Sequence, residues 1–387
     1  MKEGEDTSIN EEEKKLRFVS VSTKNGTLET PFFMPDATRA TVRGLMSEDI
    51  RQAGIEALVV NTYHLLLQPG CDRVEHLGGI HSFMKWKGPI LSDSGGYQVY
   101  SLIHKNSGLG KVTEDGVEFR SPLNGSKFFL TPEKSIALQF ELGVDMMVCL
   151  DDPRPNEAPR EEIEKAVERS IRWALRCKEE YEKQCRLRAL ENDKIPLLFG
   201  VIQGGPYRDL RKKNVEGIQE FDFDGYGFGA RHIDEQGNFL SDIISYTASI
   251  LPQDKLRFAL GVGTPLDIIR CFLAGWDMFD CVIPTREGRH GRIFFFKKEE
   301  INLNEPTKID SSWYDTFSVM NKKYQDDTQP LEEGCDCHTC LSRYSRGYIQ
   351  HLFRAQEMLG PKLATIHNLR FFSRLMEKLR KKKTEKD

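Results

Sequence analysis

A short apolar run that closes on Gly, Asp, Asn or Thr recurs eight times along this 387-residue chain, with helix-patterned stretches between the runs. The runs are 30–38 (TPFFMPDAT), 56–64 (EALVVNTYH), 89–96 (PILSDSGG), 144–152 (VDMMVCLDD), 196–205 (PLLFGVIQGG), 224–231 (DGYGFGAR), 256–264 (LRFALGVGT) and 278–286 (MFDCVIPTR). Nearly every run carries its polar residues at its C-terminal end. Amphipathic stretches at 47–53, 132–142, 160–190, 207–219, 240–251 and 265–274 lie between them. Strand then helix, many times over, predicts an α/β chain folded as a (β/α)8 TIM barrel, in which residues just past the strand ends meet on one face and form the active site. Segment 112–130 (VTEDGVEFRSPLNGSKFFL) alternates around Asp115-Gly116 and Asn124-Gly125, which predicts an inserted β-hairpin. The expected organisation is a polar tail at 1–15, the barrel at 16–300 and a C-terminal zinc-binding subdomain at 301–387.

With 39% apolar and 29% charged residues, the chain can bury a sizeable core, which excludes disorder for most of it. No signal-peptide pattern opens it and nowhere do eighteen apolar residues follow one another, so the expected setting is cytoplasmic, with no membrane contact. A net charge of −4 excludes a generic polyanion binder. Nucleic-acid contact then needs a local basic patch. One stands at Arg286, Arg289, His290 and Arg292; a second, the lysine-rich tail 378–383, reads equally well as a solvated helix end.

Cys335, Cys337 and Cys340 crowd three thiols into six residues, too close for sensible disulfides and well spaced for a tetrahedral thiolate site. His338, His351 and His367 are the candidate fourth ligands. His338 sits inside the cysteine loop, where reaching the same metal would strain the chain. A helical stretch ahead of His367 can fold it back onto the loop, so Cys335, Cys337, Cys340 and His367 are expected to hold one structural zinc. The remaining cysteines, Cys71, Cys149, Cys177, Cys185, Cys271 and Cys281, are scattered singly and read as buried thiols.

Asp93 and Asp280 each follow an apolar run and are expected to face the barrel mouth. Two carboxylates at one pocket suit glycosidic chemistry, one attacking the anomeric carbon while the other moves protons. Loop aspartates that cap turns are the ordinary alternative. Asp151, Asp152 and Gln203 also stand at run ends, where they could read a purine edge, and Tyr97 offers a face to stack it on. Read from residues alone, the chain is a barrel enzyme acting on a glycoside or a nucleobase.

Taken together, the segments 93–99 (DSGGYQV), 119–122 (FRSP), 130–133 (LTPE), 200–205 (GVIQGG), 261–265 (GVGTP), 278–282 (MFDCV), 284–286 (PTR), the cysteine cluster and 366–368 (IHN) resemble the tRNA-guanine transglycosylases of bacterial and eukaryotic type. They occur in the family's order and span most of the chain. The resemblance implies exchange of the wobble guanine of GUN anticodons for a 7-deazaguanine by double displacement, in queuosine biosynthesis, by a zinc-containing homodimer acting on tRNA. It implies Asp280 as nucleophile and Asp93 as general acid and base. Ser94, Asp151, Gln203 and the backbone at Gly229 and Ala230 would hold the base, Tyr97 and Leu260 would sandwich it, and Arg286 and Arg289 would meet the anticodon phosphates. The chain departs from the family at Ala230-Arg231, usually glycine and leucine, at Leu260, often methionine, and at 35–38 (PDAT), usually a valine-glycine version. Ile233 stands where queuine users carry glycine; with Pro153 it implies the small 7-aminomethyl-7-deazaguanine as incoming base, with queuine or another nucleic acid as the alternatives. A non-catalytic zinc RNA-binding protein is the reading of a different class, and retention of both Asp93 and Asp280 speaks against it.

Overall fold

The computed structural model describes residues 16–105, 107–298, 300–303 and 309–382; the expected tail at 1–15 lies outside them. Each of the eight apolar runs contains one strand of a single parallel sheet: β1 (Phe32–Pro35), β2 (Leu58–Asn61), β3 (Ile90–Asp93), β4 (Met146–Val148), β5 (Leu197–Ile202), β6 (Gly225–Phe228), β7 (Leu256–Ala259) and β8 (Met278–Cys281). The strands pair in chain order and β8 returns to β1, with Asp280 opposite Met34. A bridge between Asp36 and Val59, with the Ala37 amide 2.6 Å from the Val59 carbonyl, closes the ring between β1 and β2.

Alternation along the strands sorts side chains into two buried layers, and for that reason the strands read as unbroken apolar runs. Phe32, Met34, Ala57, Val59, Leu91, Met146, Phe199, Val201, Phe258 and Met278 fill the barrel interior. Their neighbours face outward under the helices; Phe33, for example, packs against Phe372 with ring centres 4.9 Å apart. Continued past the strand ends, the inward set becomes Asp36, Asn61, Asp93, Gln203, Leu260 and Asp280.

All six predicted helices form, with ends within a few residues of those expected. Pro132–Leu142 shows why: the Thr131 hydroxyl accepts from the Lys134 amide, proline opens the first turn, and Gly143 ends the helix at φ +72°. Five further helices of the barrel, Thr62–Leu67, Cys71–His76, Gly79–Met84, Gly96–Lys105 and Ile283–Arg289, and two beyond it, His338–Leu341 and Arg346–Arg354, escape the sequence reading; most run only about two turns, too short for a 3.6-residue period to declare itself. The insertion is not a hairpin but a three-stranded antiparallel sheet, Gly110–Val112, Val117–Arg120 and Lys127–Leu130. Each glycine turn reverses the chain once, and two reversals make three strands. An N-terminal hairpin, Ser20–Thr23 with Gly26–Glu29, packs Val21 and Leu28 onto the interior cluster.

Beyond the barrel, Arg292–Phe296 pairs antiparallel with Tyr314–Ser318, and the helix Leu359–Lys381 turns back against both this ribbon and the barrel. Phe296 stacks on Phe371 with ring centres 4.3 Å apart, and the Ser373 hydroxyl donates to the Ala53 carbonyl at 2.6 Å. No described helix is long and apolar enough to cross a membrane. Of the six scattered cysteines, Cys71, Cys149, Cys177 and Cys271 are buried, whereas Cys185 and Cys281 are only half-buried.

Candidate active site and metal centre

Asp280 stands one residue before the end of β8, and the Gly261 amide, just past β7, donates to its Oδ1 at 2.7 Å. Burial pushes this carboxyl up to about 7; the Gly261 amide opposes the rise, and the negative charges of Asp36 and Asp93 add to it. Asp93 ends β3 in register with Asn61, whose amide donates to its Oδ2 at 2.9 Å. Burial raises this carboxyl as well. The turn that follows needs a glycine. Gly95 has φ +85°, and a Cβ there would stand 2.7 Å from that of Tyr63.

Asp151 follows β4 and accepts from Gln203 Nε2 at 2.6 Å. Burial pushes it up to about 7, against the pull of that hydrogen bond. A side chain at 229 would collide with Gln203, since a Cβ on Gly229 would come within 2.5 Å of Nε2. Ser94, directly after Asp93, is buried. Tyr97, 53% exposed, rises from the β3 side, while Leu260 continues the inner face of β7. Strands four apart in an eight-strand ring lie across the mouth from each other, so these two side chains arise on opposite sides of it. Ala230 holds φ +72°, a left-handed conformation that costs a non-glycine residue ~1 kcal/mol. Asn156 steadies the loop by donating to the carbonyls of Arg231 at 2.9 Å and Ile233 at 3.3 Å.

Asp152 does not join Asp151. It is buried under Arg169, at 2.5 Å, and Arg154, at 3.1 Å, both of which donate to Oδ2, so a cation pair holds this carboxylate. Arg211 has no counterpart in the sequence reading. Fully buried over Phe228, it donates to the carbonyls of Gly205 at 2.8 Å, Ile202 at 3.3 Å and Gly229 at 3.2 Å, tying the β5 and β6 loops together. An arginine in an amphipathic helix ordinarily reads as solvated, and nothing local marks this one.

Arg286 and Arg289 lie on Ile283–Arg289, directly after the β8 aspartate. Arg286 is exposed, and Arg289 feels the positive charges of Arg43 and Arg286. Arg43 thus extends the predicted basic patch from the β1 loop. Arg292 is partly neutralised by Glu287 at 3.3 Å.

The metal-ligating atoms of Cys335, Cys337, Cys340 and His367 lie within 4.8 Å of one another, all buried. His367 Nδ1 is 3.6, 3.6 and 3.4 Å from the three sulfurs. A tetrahedral zinc with Zn–S of ~2.3 Å and Zn–N of ~2.0 Å would separate N from S by about 3.6 Å, so the donor set fits zinc. The ring is aimed by Nε2, which meets the Phe294 carbonyl at 2.8 Å and leaves Nδ1 for the metal. His338 and His351 are exposed and outside the cluster. Four protein ligands leave no open position, which makes this a structural zinc site.

A family model described as queuine tRNA-ribosyltransferase matches residues 12–386 of the chain. The chain belongs to this family. Queuine tRNA-ribosyltransferases of Staphylococcus aureus strains JH9, JH1 and Mu3 are each 44% identical to it over 360 residues, covering 93% of this chain and 87% of theirs. The queuine tRNA-ribosyltransferase match runs through the barrel, the aspartates at its mouth and the zinc site alike.

Proposed function

We infer that the chain is a tRNA-guanine transglycosylase of queuosine biosynthesis, exchanging the wobble guanine of GUN anticodons for a 7-deazaguanine. The observation that carries this reading is the meeting, at one mouth, of two recessed carboxylates, Asp93 and Asp280, with the Asp151–Gln203 pair on the opposite arc. Asp280 attacks C1′ of the ribose; the C1′–N9 bond breaks and guanine leaves with a proton supplied by Asp93. The incoming base gives its N9 proton to Asp93 and displaces Asp280, and two inversions restore the β-configuration. Asp151, Gln203, Ser94 and the backbone at Gly229 and Ala230 hold the base edge, Tyr97 and Leu260 its faces. Arg286 and Arg289 meet the anticodon phosphates. Cys335, Cys337, Cys340 and His367 would hold the zinc, which ties the closing helix to the cysteine loop. The barrel at 16–300 and the subdomain at 301–387 form one protomer of a cytoplasmic homodimer. Incorporation of radiolabelled guanine into unmodified tRNA tests the reading; no incorporation refutes it.

The raised Asp280 carboxyl makes two opposite pH dependences. Attack needs the carboxylate, so kcat/KM falls as pH drops through about 7, by about tenfold per unit below it. Folding favours the protonated form, because the folded value lies above the ordinary 3.8. This contribution to stability is therefore fully present below about pH 4 and is lost as pH rises through about 7. Melting curves from pH 5 to 8 should decline less steeply for Asp280→Asn than for the native chain. Equal slopes would remove Asp280 as a source of the dependence.

The incoming base is 7-aminomethyl-7-deazaguanine. Pro153 is buried, and Ile233 sits on the loop that Asn156 pins, bridged to Phe239. A stiff β-branched residue on a held loop cannot easily make room for queuine's cyclopentenediol, and overpacking of ~1–3 kcal/mol corresponds to roughly ten- to hundredfold in kcat/KM. Competition between the two bases should show that preference, and Ile233→Gly should narrow it. Comparable use of queuine by the native protein would overturn the assignment.

A further inference from the structure

The ring of strand ends divides into two arcs. β4 to β7 lead to Asp151, Gln203, Gly229 and Leu260, groups suited to the edge and face of a purine. The other arc, β8, β1, β2 and β3, leads to Asp280, Asp36, Asn61 and Asp93. Register joins these four: Asp280 pairs with Met34, two residues before Asp36; Asp36 bridges Val59, two before Asn61; and Asn61 pairs with Asp93. Asp36 therefore stands on the inner face between the two reacting carboxylates.

A nucleoside bound with its base on the first arc and C1′ at Asp280 must place its ribose against the second. Asp36 is the remaining anion there. Among the described residues its hydrogen-bond donors come from Thr38 alone, whose hydroxyl reaches Oδ1 at 2.5 Å. A carboxylate has about four acceptor positions, and with the Thr38 hydroxyl and amide on two of them about half remain open to a ligand. Its closeness to the reaction is visible in its neighbours. The charge of Asp36 raises Asp280 more than that of Asp93 does, and Arg289 is the cation that offsets Asp36 itself.

We propose that Asp36 accepts a hydrogen bond from the 2′-hydroxyl of the ribose whose base is exchanged, and so makes the reaction depend on a ribonucleotide at that position. The proposal rests on the transglycosylase reading above. The 2′-hydroxyl lies beside C1′, and its hydrogen bond to a carboxylate strengthens as C1′ gains oxocarbenium character. It is also the group by which a protein tells RNA from DNA.

Single-turnover guanine exchange on two stem-loop RNAs, identical but for guanosine or 2′-deoxyguanosine at the exchanged position, tests this. The native enzyme should be slower on the deoxy substrate by roughly ten- to hundredfold. Asp36→Val should lose a similar factor on the ribo substrate and become indifferent to the 2′-hydroxyl, a change of ratio that general loss of structure would not produce. Equal slowing on both substrates, or full activity of Asp36→Val, overturns the proposal. Should the valine variant melt early or lose its zinc, Asp36→Asn, which keeps the shape, is read in the same way: a smaller ribo/deoxy ratio supports the assignment and an unchanged ratio refutes it. A native enzyme that exchanges guanine in neither RNA refutes the transglycosylase reading itself.

Discussion

Asp280→Asn should lower guanine exchange by more than about a thousandfold, which is ~4 kcal/mol of barrier. Asparagine fills the same space and keeps an acceptor for the Gly261 amide, now 2.7 Å from Oδ1, so the mouth should hold its geometry. What it lacks is a negatively charged oxygen able to bond to C1′. The variant should also fail to form a denaturation-resistant adduct with tRNA, which the native protein should accumulate when the incoming base is withheld. At neutral pH it should melt no lower than the native chain, because it removes a recessed charge that Asp36 and Asp93 repel. Lost activity with kept stability separates a chemical role from a structural one. Exchange above about a hundredth of the native rate, or a surviving adduct, would take the nucleophile's role away from Asp280.

Removing zinc should damage the fold before the chemistry. Metal analysis should find one zinc per chain, and His367→Ala should lose it. The fully buried His367 joins the cysteine loop to the helix Leu359–Lys381, whose Phe371 and Phe372 pack on Phe294 of the ribbon and, through Phe372, on Phe33 of the barrel. Structural zinc sites contribute apparent binding energies of ~10 kcal/mol or more, and even a few kcal/mol lost should lower the melting temperature by roughly 10 °C. Chelation should do the same to the native protein, with exchange activity falling in step with unfolding. Undiminished zinc in His367→Ala would reassign the fourth ligand, and a metal-free chain of native stability would refute a structural role.

Both expectations come from residues that the sequence places well, and the reason is local. A strand buried on both faces writes itself as an apolar run, and its polar C-terminal end follows within a few residues, so eight runs announce eight strands and put Asp93, Asp151, Gln203 and Asp280 at their ends. Three cysteines within six residues likewise announce a metal site by spacing alone. Most of the helices that show in the sequence are long enough to repeat their period, and some carry strong caps, as Thr131 and Gly143 do for Pro132–Leu142; Ser47–Gln52 has neither advantage.

What local pattern leaves open is decided by partners far away in the chain. Asp151 and Asp152 are adjacent and alike, yet one meets Gln203, 52 positions on, and the other is taken by Arg169 from the following helix. Arg211 looks like a surface residue of an amphipathic helix until the β5 and β6 loops bring three carbonyls to it. His367 outranks the nearer His338 because the closing helix packs back and the Phe294 carbonyl turns its ring. Asp36 reads as one more loop aspartate until the barrel closes through its bridge to Val59 and sets it between Asp93 and Asp280. Periodicity and spacing are properties of neighbours in the chain, so the sequence by itself determined the eight barrel strands, six of the helices between them and the metal motif. Burial and pairing are properties of neighbours in space, and only the closed barrel decided which polar groups face the mouth and which serve to hold it.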